Sequence, residues 1–168
     1  MVETKTLLLD KKEIQHRIDR IAHQLYEDNY KESELFIVGI QDRGYILAKK
    51  IEKALLKLSK IKTTLLALKI NKDDPLSEEI EINTETKLLK GKVVVVVDDV
   101  LNSGKTLMYS LRPFLEVRVK KLRTVLLVDR DHKRYPVRAN YVGLRLSTTL
   151  KEHVSVNLKS GEEAVYLE

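Results

Sequence analysis

A chain of 168 residues, 43% hydrophobic and 33% charged, is long enough to bury a sizeable core as one folded unit. Its apolar runs fall well short of the roughly 18 residues that a membrane span needs, and with no cysteine it has neither a disulfide framework nor a thiolate metal site. A formal charge of +6 and a pI of about 9.3 favour anionic partners in general, phosphates, pyrophosphate or RNA, and the opening Met1-Val2-Glu3-Thr4-Lys5 lacks a signal-peptide core, so the cytoplasm is the expected compartment.

Thr6 to Leu9 reads as a short strand. Asp10 then stands where a helix N-cap is expected, with Glu13 three residues on, the pattern of a capping box. Ile14, Ile18, Ile21 and Leu25 recur at spacings of four, three and four, the apolar stripe of a helix that reaches about Asn29. His16, Arg17, Arg20 and His23 fall beside or away from that stripe, as on a solvated face. Leu35 to Ile40 is a buried strand, Gln41-Asp42-Arg43-Gly44 a turn, and Tyr45 to about Leu58 a helix with Ile46, Leu47, Ile51, Ala54, Leu55 and Leu58 inward. Loops at the C-terminal ends of strands in such βα units carry the ligands of open α/β sheets. Arg43 beside a glycine lets a guanidinium and backbone amides approach a dianion together. Thr63 to Ile70 is a third strand. Asn71 to Thr86 is a polar, acidic connection in which Pro75 breaks any helix.

Five successive valines, Val93 to Val97, cannot alternate inward and outward without burying both faces, the mark of a central strand in a parallel sheet. Asp98 and Asp99 follow where that strand is expected to end. Asn102-Ser103-Gly104-Lys105-Thr106 is a small, flexible turn running into a helix from Thr106 to about Leu115, kinked or ended by Pro113. Such a strand, acidic pair, turn and helix start suit a sugar phosphate. Turn amides, the Ser103 and Thr106 hydroxyls and the helix dipole take the phosphate, while the carboxylates take hydroxyls or a metal. Each hydrogen bond to the charged group contributes about 1.5–3 kcal/mol, and the dipole about 0.3–1 kcal/mol.

Two rival readings explain less. Gly104-Lys105-Thr106 ends like a P-loop, but the first glycine of that pattern falls on Asp99, whose carboxylate repels phosphate oxygens. An ordinary loop after a buried strand accounts for the valines but not for two acids beside an anion-binding turn. Beyond it, Val117 to Arg123 reads as a basic connection and Thr124 to Val128 as another buried strand. Asp129 to Pro136 is a loop rich in ionisable groups, Tyr141 to Leu146 and Val154 to Leu158 are strands, and Glu162 to Glu168 has room for a short edge strand. Strands alternating with helices predict an α/β fold, a mainly parallel twisted sheet with helices on both faces, in one domain spanning 1–168.

The 93–106 stretch resembles the phosphoribosyl-pyrophosphate (PRPP) signature of type I phosphoribosyltransferases. Arg20-Ile21-Ala22-His23, Val38-Gly39-Ile40-Gln41-Asp42-Arg43-Gly44, Leu127-Val128-Asp129-Arg130-Asp131-His132 and Arg138-Ala139-Asn140-Tyr141-Val142-Gly143 also fall in the order of one subgroup. Over most of its length the chain is therefore similar to the pyrimidine-operon regulator/uracil phosphoribosyltransferase (PyrR) family. The resemblance implies transfer of the phosphoribosyl group of PRPP to uracil, giving UMP and pyrophosphate, with Mg²⁺. A ring nitrogen displaces pyrophosphate at the anomeric carbon, and positive charge develops on the ribose. Asp98 and Asp99 would hold the ribose hydroxyls and the metal and stabilise that charge, and Arg43 would stabilise the leaving group. Gln41, Asp42 and Gly44 join Arg43 in the pyrophosphate loop, and Asn102, Ser103, Gly104, Lys105 and Thr106 take the 5′-phosphate. Val128, Asp129, Arg130 and His132 lie by the base, under a small hood from the N-terminal and C-terminal segments.

Two positions depart from the family pattern. The lid hairpin looks shorter, and Asn71-Lys72-Asp73-Asp74 replaces the usual Tyr-Arg-Asp-Asp, so that Lys72 brings a charge without the bidentate fork. Asp131 replaces a glycine, where a side chain narrows the base pocket or changes its preference. A second implied function is binding of pyrimidine-operon leader mRNA, with Arg20, His23, Arg138, Thr148 and Lys151 as candidates, in a homo-oligomer, a dimer or larger. Two alternatives stand beside this expectation: a nucleotide-responsive RNA-binding attenuator with little catalysis, which the altered lid favours, and a phosphoribosyltransferase for another base.

Overall fold

The computed structural model describes residues 4–149 and 151–168; Met1 to Glu3, part of the stretch read above for a leader, lie outside them. The chain runs β1 (Thr6–Leu9), α1 (Lys11–Asn29), β2 (Glu34–Ile40), α2 (Arg43–Leu58), β3 (Lys62–Lys69), β4 (Glu81–Ile82) and a 3-10 turn (Thr86–Leu89). It continues through β5 (Val93–Leu101), α3 (Lys105–Ser110), α4 (Arg112–Leu115), β6 (Lys121–Asp129), β7 (Tyr141–Arg145), β8 (Val154–Asn157) and β9 (Ala164–Leu167).

Six strands form the main sheet in the order β4-β3-β2-β5-β6-β7. All neighbours are parallel except β4, which pairs antiparallel with β3. The valine run is central, between β2 and β6, and its residues divide by parity as a strand's must. Val93, Val95 and Val97 enter the core formed with α1 and α2, while Val94 and Val96 enter a second core with Leu107 of α3 and Phe114 of α4. The expected parallel sheet with helices on both faces is therefore what these residues build.

Helix α1 starts as its sequence predicts. Asp10 Oδ1 accepts the Glu13 N–H at 2.8 Å, Glu13 Oε2 accepts the Asp10 N–H at 2.8 Å, and Ile14, Ile18, Ile21 and Leu25 are buried. Other expectations change. Helix α2 starts at Arg43, and its buried stripe is Leu47, Ala48, Ile51, Ala54 and Leu55, which leaves Ile46 off the face and 37% exposed. The helix expected from Thr106 to Leu115 is two short pieces parted at Leu111, with Pro113 in the first turn of α4, where its missing N–H is no loss. Lys121 to Arg123 belong to β6 rather than to a connection, because Asp28 at the end of α1 receives Lys121 Nζ at 3.3 Å and Arg123 Nε at 2.9 Å. Tyr141 donates its hydroxyl to the same carboxylate. Burial works against Asp28's charge, but these donors outweigh it and hold its carboxyl below the usual range. Burial, with Asp28 beside it, pushes the Tyr141 hydroxyl up to about 12.

The tail holds a strand, but not at an edge. The second sheet has the order β1-β9-β8, with β9 between two antiparallel partners, in the registers Thr6↔Leu167 and Val156↔Val165. Leu9, Val154, Val156, Leu158 and Val165 close it onto the α1–α2 side of the core.

Candidate phosphate and acidic-pair site

Strand order reverses between β2 and β5. From β2 the chain steps to β3 on one side, and β5 occupies the other. Crevices at the carboxyl ends of strands at such a switch point receive ligands in open α/β sheets. Here that crevice lies between the loop after β2, residues 41–43, and the end of β5 with the turn after it.

Asp98 and Asp99 are each 3% exposed, since the central strand runs on through them to Leu101. Asp98 Oδ1 accepts the Asp99 N–H at 2.9 Å. Two cations face the pair: Arg43 Nε lies 2.6 Å from Asp99 Oδ2, and Lys72 Nζ lies 3.5 Å from Asp98 Oδ1. Burial, then the charge of Asp99, pushes the Asp98 carboxyl up to about 7 against the pull of Lys72. Arg43, which the sequence places toward pyrophosphate, thus rests on the acidic pair. Gln41 and Asp42 are exposed and joined by a cis peptide bond, and Gly44 is buried against β5. A concavity of about 450 Å³ is lined by Gln41, Asp42, Arg43, Lys69, Ile70 and Lys72.

The turn after β5 is held from below. Ser103 O accepts the N–H groups of Arg134 at 2.7 Å and Tyr135 at 3.1 Å, and Ser103 Oγ accepts that of Lys105 at 3.2 Å. Gly104 has φ +85, and an added Cβ would stand 2.6 Å from Val137 Cγ1, so the position demands glycine twice over. With Thr106 and Asp98 these residues line a slot of about 40 Å³. Lys105 Nζ reaches back to Asp73 O at 2.8 Å. At six residues, α3 carries less dipole than the predicted helix. A larger concavity of about 630 Å³, along α1 beside Lys50 and Glu163, has neither the acidic pair nor the turn.

At the end of β6, Val128 and Asp129 are buried beside β5. The Asp129 carboxylate receives Lys133 Nζ at 3.1 Å from both oxygens and the Asp131 N–H at 3.0 Å. Sequence reasoning missed Lys133, whose only signal is its spacing four residues after Asp129. Asp131 has φ 58, a left-handed conformation that Asp tolerates better than most residues, which accounts for an Asp where the family pattern has glycine. His132 is half-buried.

Arg130 turns away from this loop's opening. It is 8% exposed, and its guanidinium donates to Asn102 Oδ1 at 2.8 Å, Thr148 Oγ1 at 3.1 Å, Thr149 O at 3.4 Å and Glu152 O. It is a strut between the phosphate turn and the C-terminal segment. Arg130→Lys loses the planar fork. It should lower stability by about 1–3 kcal/mol, as thermal melting would read.

Three of the five residues expected to meet RNA make hydrogen bonds within the chain. Arg20 donates to the carbonyls of Val142 at 3.0 Å and Gly143 at 2.7 Å, clasping β7. His23 Nδ1 lies 2.8 Å from Asp19 O, and Thr148 is taken by Arg130. Arg138 and Lys151 are exposed.

Among the described residues no group of three or more His, Cys, Asp or Glu side chains could hold a metal. Two adjacent carboxylates suit a hard cation that keeps water and shares substrate oxygens, the habit of Mg²⁺, and do not make a resident metal cage.

Comparison with known proteins gives the family and the fold. The model of the phosphoribosyl transferase domain matches residues 6–160. The chain is 36% identical over 170 residues to the bifunctional protein PyrR of Fusobacterium nucleatum, covering 96% of each, and 36% identical to that of Clostridioides difficile, covering 98% of each. Its fold matches the hypoxanthine phosphoribosyltransferase of Trypanosoma cruzi in complex with the product IMP, at a TM-score of 0.79 and 19% identity over 96% of this chain and 93% of that one. A hypoxanthine-guanine phosphoribosyltransferase of Bacillus anthracis matches at 0.73 and 22% identity, over 90% and 88%. With a signature that spans nearly the whole sequence and relatives aligned end to end, the chain belongs to the phosphoribosyltransferase family, in its PyrR group.

Proposed function

We propose that the protein transfers the phosphoribosyl group of PRPP to a pyrimidine base, uracil, releasing pyrophosphate and forming UMP. The observation that carries this is the buried pair Asp98 and Asp99, set beside a glycine turn at the switch point between β2 and β5. Asn102, Ser103, Gly104, Lys105 and Thr106 take the 5′-phosphate, with amide donors that add no bulk. Asp98 and Asp99 accept from the ribose 2′- and 3′-hydroxyls and stabilise the positive charge that builds on the sugar as the anomeric bond breaks. Arg43, now on Asp99, swings to the pyrophosphate, which Gln41, Asp42 and Gly44 border. Asp98 and Asp99, with substrate oxygens, would hold Mg²⁺, which would supply neutralising charge for the leaving group. Val128, Asp129 and His132 border the base, with the β1-β9-β8 sheet as its cover and residues 1–168 as one functional unit. No covalent nucleophile is required.

The test is a panel of bases with PRPP and Mg²⁺, read as pyrophosphate release and nucleotide formed. UMP from uracil is the expected product. Nucleotide from hypoxanthine or guanine instead would reassign the base, and no nucleotide from any base would overturn the enzymatic reading. A second activity, binding of pyrimidine-operon leader RNA modulated by uridine nucleotides, is supported by the word "bifunctional" in the relatives' name and by the +6 charge. We place it in the cytoplasm, in a homo-oligomer. Its RNA affinity should fall steeply with salt and respond to UMP.

A further inference from the structure

Arg130 joins two parts of the site. Its backbone N–H donates to Leu101 O at 3.1 Å, and Asp129, one residue earlier, stands opposite Leu101 in the register of β5 and β6. The phosphate turn and the loop assigned to the base therefore start side by side. Asn102, the first residue after β5, opens that turn, and its Oδ1 accepts Arg130 Nη1 at 2.8 Å.

That bond settles which way the amide points. A guanidinium carries donors and no acceptor, so the amide must turn its oxygen to it. The guanidinium is itself fixed. Arg130 is 8% exposed, and Thr148 Oγ1, Thr149 O and Glu152 O take its other N–H groups. The Nδ2 end of Asn102 is what remains. It meets no acceptor among the described residues, and Asn102 is exposed. The chain thus presents an N–H donor, held in direction by a buried partner, where the phosphate turn meets the base loop. An amide neither takes nor releases a proton near neutral pH, so what it offers is a fixed dipole.

The neighbours narrow what that donor serves. Asp98 and Asp99 accept from the ribose hydroxyls, and the backbone N–H groups of the turn serve the phosphate. The acceptor left near the anomeric carbon belongs to the base. A pyrimidine attacking through N1 carries one carbonyl, at C2, next to that nitrogen.

We propose that the Asn102 side chain is a specificity-determining group for the base, its Nδ2 donating to the ring carbonyl beside the attacking nitrogen while Arg130 holds its oxygen. The proposal rests on the PRPP and uracil reading of this site and gives the base a side-chain donor. Arg130 is then a positioning residue that acts through Asn102. A base without that acceptor covers the donor and leaves it unpaired, which is how such a group discriminates.

The experiment compares uracil with 2-thiouracil, whose C2 sulfur is a poor hydrogen-bond acceptor, in the wild type, Asn102→Asp and Asn102→Ala. Asn102→Asp keeps the shape of the side chain and an acceptor for Arg130 but offers the base no N–H. Asn102→Ala removes the donor without adding charge, so PRPP affinity is read on it, by calorimetry with Mg²⁺. The wild type should favour uracil by about tenfold in kcat/KM, the equivalent of one hydrogen bond. Both variants should lose about tenfold or more with uracil, and their preference for it should shrink to about twofold or less. PRPP affinity of Asn102→Ala should stay within about threefold of the wild type, less than one hydrogen bond to a charged group is worth. A purely structural role for Asn102 lowers both bases alike and keeps their ratio, which overturns the proposal. A large loss of PRPP affinity in Asn102→Ala gives the amide to the phosphate and overturns it too. If the wild type forms no nucleotide from uracil and PRPP, the reading of the site falls first, and the role of Asn102 with it.

Discussion

Asp98→Asn should raise the melting temperature at pH 7.5 and, combined with Asp99→Asn, slow turnover by about 10²–10³-fold. The two effects share one cause. Asp98 is 3% exposed, beside Asp99, with Lys72 and Arg43 as the cations facing the pair. Burial and the neighbouring charge lift its carboxyl from 3.8 to about 7. Because the folded value is the higher one, stability from the protonated carboxyl is fully present below about 3.8 and is lost as pH rises through about 7. At pH 7.5 the native state therefore carries an ionised carboxylate at a cost. Asn keeps an oxygen for the Asp99 N–H and carries no charge, so the variant should gain on the order of 1–3 kcal/mol there, given ~1.4 kcal/mol per pKa unit and a less ideal amide fit. In a chain of this size that is roughly 3–10 °C. Calorimetry without metal at pH 7.5 and pH 4 reads it, and the gain should vanish at the lower pH. The doubly substituted protein should form nucleotide about 10²–10³-fold more slowly, the usual loss when a group aimed at developing charge is removed. A variant that melts lower at both pH values would mean that the pair is structural. An unchanged rate would put the chemistry elsewhere.

The acidic pair was legible in the sequence as two carboxylates beside a small turn, at the expected end of the valine strand. Its burial was not, because the strand runs on through both acids to Leu101. The capping box of Asp10 and Glu13 was equally legible, because both partners lie within one helical turn. What failed to show depends on distant partners. Basic Lys121 and Arg123 read as a connection until Asp28, more than ninety residues away, makes them strand. The tail reads as an edge strand because nothing within it announces that β1 and β8 will close on its two sides. The same limit holds at the site. Asp98, Asp99 and the turn from Asn102 to Thr106 are contiguous, so their grouping is local. That Arg43 rests on Asp99, that Lys72 faces Asp98, and that Arg130 turns inward to Asn102 are all contacts between separate loops, set by the strand order.

Gly44→Ala is expected to damage both fold and site. Gly44 lies in the first turn of α2, where alanine alone would favour the helix by about 1 kcal/mol. Packing decides otherwise. An added Cβ would stand 2.8 Å from Val97 O, 2.9 Å from Asp98 Oδ1 and 3.1 Å from Asp98 Cα. The backbone atoms of the central strand cannot step aside, because β5 is hydrogen-bonded on both sides. Helix α2 must then move off the sheet, taking the loop of Gln41 to Arg43 with it, or the end of β5 must bend. Overpacking of this kind costs about 1–3 kcal/mol, occasionally more, which exceeds the propensity gain. Displacing the acidic pair by even 1 Å relative to the phosphate turn lowers turnover by about 10²-fold. Gly161→Ala is the control. Its φ of +88 strains an alanine, but nothing lies within 4 Å of the added methyl, so it should lose about 1–2 kcal/mol and keep its turnover. Thermal melting and nucleotide formation measured on both variants separate the two predictions. If Gly44→Ala melts like the wild type with full activity, α2 does not press on the acidic pair, and the close approach that positions Asp98 is not what fixes it.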